Sequence, residues 1–221
     1  MPDLDAQQIA RLFTDRAGDY YAARWRRPIA PVVFGVDDAT LSVVKGAVEA
    51  AVALAGHRMA ETDPEMGANL WVFFFRDWDE LLAVPDLENL VGGLSGLVRR
   101  AQAAGADQAR LFRHEPDGAI RAAFIFIFLR MAGPLAAAPA DALALDQAVR
   151  VLATFAEGGL PVGAATVDTG EGAMIAPAMA RLLRALYDPL MPDVARDASH
   201  ALRLAARLLR TDGLATPGAT A

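Results

Sequence analysis

The stretch "GAIRAAFIFIFLRMAG", Gly118 to Gly133, sets eight consecutive apolar residues, Ala122 to Leu129, between Arg121 and Arg130. A helix crossing a bilayer takes ~20 apolar residues, so this run is too short to span one. Its length and its Ile and Phe content fit a strand buried on both faces. A chain built around it contains a sheet with this segment at its centre.

The flanking sequence supplies the rest of that sheet. "ARLFRH" (109–114) and "AIRAAFIFIF" (119–128) enclose "EPDG", whose Pro, Asp and Gly suit a tight turn, so the pair reads as a β-hairpin. "IAPVVFG" (29–35) is a strand with Pro31 marking an edge or a first residue, and "ANLWVFFF" (68–75) is another. Between them, "DDATLSVVKGAVEAAVALAG" reads as a helix opened by Asp37 or Asp38 and closed by Gly56. Residues 4–23 carry Leu4, Ile9, Leu12, Phe13 and Tyr20 near helical spacing, and Leu87 to Ala104 forms a helix weakened by Gly92, Gly93 and Gly96.

After the Ala/Pro linker "PLAAAPA", Asp141 can cap a helix running to about Ala156 that ends at Gly158 and Gly159. "LPVGAATVDTGEGAM" reads as a loop, or a short strand plus loop, and helices near 176–187 and 193–210 finish the chain. The expected architecture is a single α+β domain, a mixed sheet of about four strands packed with helices, with a helical C-terminus. Its parts are an N-terminal helix (1–23), the α+β body (24–192), an amphipathic helix packed on that body (193–210) and a flexible tail (211–221).

Composition narrows function by exclusion. Apolar residues make up 54% and charged residues 22%, which is globular composition. A net charge of −6 argues against nucleic-acid binding, which needs a basic face for phosphates. There is no cysteine, so disulfides, thiolate metal sites and Cys nucleophiles are all ruled out. Read as a native start, the first 25 residues hold no apolar run of signal-peptide length, and the expected compartment is the cytoplasm. The apolar excess serves a large core or a subunit interface equally well, so oligomeric state stays open.

Candidate chemistry is sparse. His57, His114 and His200 include no i, i+4 pair of the kind that sets two imidazoles on one helical face around zinc. Folding could assemble all three, with Glu115, but cap and surface roles are the simpler expectation. "VDTGEG" (167–172) places Asp168 and Glu171 in a Gly-rich turn; as an aspartic-protease motif it lacks the second copy that proton sharing requires. "VGGLSGLVRR" (91–100) lacks the spacing of a phosphate cradle, and no G-x-S-x-G is present. In the last helix Val194, Ala198, Ala201, Leu202, Ala205, Leu208 and Leu209 form an apolar stripe. Arg196, Arg203, Arg207 and Arg210 fall on another face, which is either solvated or a docking surface for an acidic partner.

Four segments, taken in order, resemble a bacterial family of uncharacterised, predicted zincin-like metalloproteases. "RWRRPIAPVVFG" looks like its opening strand, and "ALAGHRM" followed by "ANLWVFF" like its helix end and second strand. "DGAIRAAFIFI" is similar to the strand before its metal-binding helix, and "LLRALYDPLMP" (182–192) to its Leu-Tyr-Asp-Pro segment. The resemblance implies a zincin-like fold and a metal-binding helix at "DALALDQAVRVLATFAEGG" (141–159). That segment has no histidine, and its glutamate, Glu157, lies at the very end. Zinc needs about three protein ligands and a water, with a carboxylate as general base, and Asp146, Gln147 and Arg150 do not supply that set.

The expectation is therefore a zincin-like domain without metalloprotease activity and without a cofactor, acting as a peptide- or protein-binding module. Trp25, Trp71 and Tyr187 are its candidate cleft contacts, although aromatic side chains more often belong to a core. Two alternatives stand beside it: a hydrolase using Asp168 and Glu171, and a structural subunit docking through its arginine-faced last helix.

Overall fold

The computed structural model describes residues 4–131 and 133–212, with side chains through residue 209. The chain opens with α1 (Ala6–Phe13), β1 (Ala22–Ala23), β2 (Pro31–Phe34) and α2 (Asp38–Leu54). Next come β3 (Leu70–Phe75), α3 (Trp78–Leu82), α4 (Leu87–Val91), α5 (Leu94–Ala103) and the hairpin β4 (Gln108–His114) and β5 (Ile120–Phe128). Then follow α6 (Pro134–Ala137), α7 (Ala140–Val151), β6 (Thr166–Asp168) and β7 (Ala173–Ile175). The final elements are α8 (Pro177–Leu186), β8 (Val194–Ala195) and α9 (Ser199–Asp212).

The main sheet has the order β2-β3-β5-β4, parallel except for the antiparallel β4–β5 pair. The mixed four-stranded sheet and the α+β class are as the sequence led us to expect, and β5 is internal, flanked by β3 and β4. Its burial on both faces explains the uninterrupted apolar run. On one face Trp71, Phe73 and Phe75 stack on their register partners Phe124, Phe126 and Phe128 at 4.7, 5.3 and 5.8 Å, beneath α3, α4 and α5. On the other, Leu70, Val72, Phe74, Ala123, Ile125 and Ile127 meet α2 and α7, with α1, α8 and α9 completing that core.

Several element boundaries differ from the expectation, each for a tertiary or backbone reason. The first helix stops at Phe13 rather than 23, because the chain turns back so that Ala22 and Ala23 pair with Val194 and Ala195. The segment 87–104 splits where Gly92 and Gly93 take φ of +61° and +85°, values that only glycine adopts without strain. The α2 cap agrees with the expectation: of the two residues offered, Asp37 caps by accepting from the Thr40 amide. Within the Ala/Pro linker, residues 134–137 form a helical turn, and residues 165–175 contain a hairpin.

α7 ends at Val151, well before Gly158 and Gly159. The residues after it leave the helix to bond elsewhere: Thr154 N–H reaches Ala23 O at 3.2 Å, and Ala156 N–H reaches Leu12 O at 2.8 Å. Asp141 lies inside the first turn of α7 instead of capping it, and accepts from the Ala142 and Ala173 amides. The last helix begins at Ser199, since Val194 and Ala195 are a strand. Its buried stripe is Ala201, Leu204 and Leu208, whereas Leu202 and Leu209 point outward at 63% and 71% exposure. The proposed tail at 211–221 lies outside the described residues from 213 onward. No helix among the described residues is long and apolar enough to cross a membrane.

Candidate binding groove

β4 is an edge strand, and that determines where a site can form. Phe128 N–H donates to Asp107 O, which sets the phase of the ladder. By the alternation of an antiparallel pair, Ala109 and Leu111 then bond to β5, while the N–H and C=O groups of Gln108, Arg110 and Phe112 point away from it. Among the described residues those outward groups have no backbone partner. A groove of about 690 Å³ runs along this edge. Leu97, Arg100 and Ala101 of α5 form one wall, and Phe155 to Val162, after α7, form the other.

The second wall is held firmly by α1. At Gly159 a Cβ would sit 2.9 Å from the carbonyl oxygens of Arg11 and Leu12, so a side chain there would force the loop away. From inside, Arg150 bonds the Leu160 carbonyl through Nη1 at 2.8 Å and the Pro161 carbonyl through Nη2.

Asp146 and Arg150, four residues apart, share the buried inner face of α7. Arg150 Nε and Nη2 donate to the two oxygens of Asp146 at 2.6 and 3.1 Å. Asp146 also accepts from the Gly163 amide at 3.2 Å and from the Gln147 amide group at 3.4 Å. Asp146 thus accepts four hydrogen bonds and Arg150 donates four, which helps offset the desolvation of a buried pair.

Arg110 is placed differently. It shares the α7-facing side of β4 with Phe112, and its Nη2 donates only to neutral amides: Gln147 Oε1 at 3.1 Å and Gln108 Oε1. Its Nε is buried without a partner, Nη1 makes no hydrogen bond, and the residue lines the groove. No carboxylate lies within ion-pair distance of it among the described residues. Burial first, then the Arg150 charge, push its pKa down to about 9, with Asp146 opposing; it remains charged at neutral pH. Two guanidinium groups and one carboxylate leave this end of the groove net positive. The acid that lines it, Glu157, is exposed and lies 3.7 Å from Arg16.

The residues singled out in the sequence lie elsewhere. Trp25 is core, donating through Nε1 to Val151 O at 2.6 Å. Trp71 stacks on Phe124, and Tyr187 is buried with its hydroxyl on Leu152 O at 2.8 Å. None of the three lines the groove. Asp168 and Glu171 are both exposed on the β6–β7 turn, where Asp168 accepts from the Gly170 amide.

Three of the four arginines on the last segment are occupied within the chain. Arg196 lies over the Tyr21 ring at 5.0 Å, Arg203 bonds Leu190 O, and Arg207 pairs with Asp188 at 3.0 Å. The Arg210 side chain lies outside the described residues.

The histidines separate. His57 Nε2 meets Arg27 O, His114 Nδ1 meets Gly118 O, and His200 Nδ1 meets the Tyr20 hydroxyl. Among the described residues no three His, Cys, Asp or Glu side chains converge as metal ligands. At the positions where the resemblance puts ligands, Arg150 sets a fixed positive charge against Asp146, so the residues present do not fit zinc. Sequence reasoning missed Arg110 and Gln108, because the pattern of a strand does not say whether it lies at an edge. Comparison with known protein families, proteins of assigned function and solved structures returns no match.

Proposed function

We propose that this chain is a non-catalytic binding module on a zincin-like scaffold, and that the groove beside β4 receives an extended peptide or a segment of another protein. The observation that carries the reading is the Asp146–Arg150 pair. On the helix expected to hold a metal, one turn apart and both buried, stand an acid and a base that satisfy each other. An ion pair in that place supplies neither a Lewis acid nor an activated water. What remains is a groove beside an unpaired strand edge, a combination suited to β-strand addition.

The test is elemental analysis of the purified chain after incubation with excess zinc and dialysis, together with a casein-cleavage assay. The reading expects no retained metal and no cleavage. Zinc near one per chain with peptide-bond hydrolysis would overturn it.

A further inference from the structure

We propose that the segment bound at β4 carries an acidic residue directly opposite Arg110. The inference rests on the binding reading above and names the chemistry of its ligand.

An added strand pairs with the outward N–H and C=O groups of Gln108, Arg110 and Phe112. The residue facing Arg110 then projects its side chain from the same face of the extended sheet, about 5 Å away at Cβ. That face already holds the Arg110 guanidinium, which lines the groove with Nε and Nη1 making no hydrogen bond. An aspartate or glutamate at this position completes the missing ion pair. A lysine or arginine there would meet the Arg110 cation and be rejected. Gln108 and Gln147 hold the Arg110 side chain from Nη2, so the cation is oriented before the ligand arrives.

Two other largely buried arginines contrast with it: Arg24 has Asp193 at 2.9 Å and Arg150 has Asp146, while Arg110 bonds only amides. An inward-pointing charge on an edge strand can also serve simply to discourage edge-to-edge pairing of two copies. That role needs no acidic ligand, and the experiment separates the two.

The experiment is selection of a random nine-residue peptide library on the purified full chain. Enriched peptides are then synthesised with the acidic residue or its amide counterpart, and with a free or amidated C-terminus. We expect enriched sequences to share one acidic position, and its Glu→Gln change to weaken binding at least tenfold. Loss of the effect on C-terminal amidation instead would identify the chain terminus as the carboxylate, and would overturn the side-chain assignment. Arg110→Gln should lower affinity for the acidic peptide to that of the glutamine peptide. The peptide comparison uses the unmodified protein, so it decides the matter even where the variant folds poorly.

Peptides that bind with no acidic preference would defeat this inference and leave the binding reading standing. No enrichment over an unrelated protein would defeat both. Self-association of Arg110→Gln with undiminished peptide affinity would assign Arg110 to edge protection.

Discussion

Arg150 grips Asp146 at two points within a single turn of α7, Nε to Oδ2 at 2.6 Å and Nη2 to Oδ1 at 3.1 Å. The same guanidinium holds the carbonyls of Leu160 and Pro161, so one side chain fixes both the helix face and the loop that walls the groove. The pair is therefore part of the architecture of the site, and Arg110, beside it, has only amide partners and no ion pair among the described residues.

Breaking that pair from one side should be severe. Arg150→Ala strands a buried carboxylate and frees the 160–163 loop, with an expected loss of about 3–5 kcal/mol in urea denaturation. Adding Asp146→Leu should recover part of that loss, because the uncompensated charge is then removed. A double variant as unstable as the single one would mean that the loop contacts, and not the ion pair, dominate.

Arg110 should behave in the opposite way. Arg110→Met gives up the bonds to two glutamines but also releases a desolvated cation, so stability should stay within about 1 kcal/mol of the parent chain. Binding of an acidic peptide should fall with little change in melting temperature. A large destabilisation would make Arg110 a structural residue.

The aromatic ladder between β3 and β5 makes a quantitative claim about the core. Phe124 is fully buried and stacked on Trp71, and Phe124→Ala should lower stability by about 3–5 kcal/mol. The conservative Phe124→Leu should lose less. Thermal and chemical denaturation both read this directly.

Acid should destabilise the fold through its histidines. Burial first, then the charges of Arg203 and Arg24, lower the His200 pKa to about 4. The unfolded chain binds that proton near pH 6.5 and the folded chain does not, so stability is present above 6.5 and falls between pH 6.5 and 4. Allowing for solvent screening, His200 should contribute about 1–2 kcal/mol to that fall. His57 and His114, also lowered chiefly by burial, add slope of the same sign. Urea midpoints measured from pH 7 to 4 should show a shallower decline for His200→Gln.

The parts of this structure that were legible in the sequence are those governed by local rules. The apolar run at 122–129, the EPDG turn and the Asp37 cap each carry their own signal, and each is found where expected. Features set by distant partners were not legible. α7 stops at Val151 because Thr154 and Ala156 bond to Ala23 and Leu12, more than a hundred residues earlier in the chain. The outer turns of α9 expose Leu202 and bury Leu204, a choice made by where the helix docks. The i, i+4 spacing of Asp146 and Arg150 could be read from the sequence. The solitary charge of Arg110 could not, since it depends on strand order and on which residues cross the edge of the sheet.

The central claim is that β4 offers a free edge to an extended ligand, and amide hydrogen exchange resolved by residue tests it most directly. In the free protein Ala109 and Leu111 should be protected, while Gln108, Arg110 and Phe112 exchange rapidly. On saturation with a selected acidic peptide, those three amides should slow by at least tenfold. Protection of all five amides in the free protein, or binding that leaves the outward three unchanged, would contradict the account.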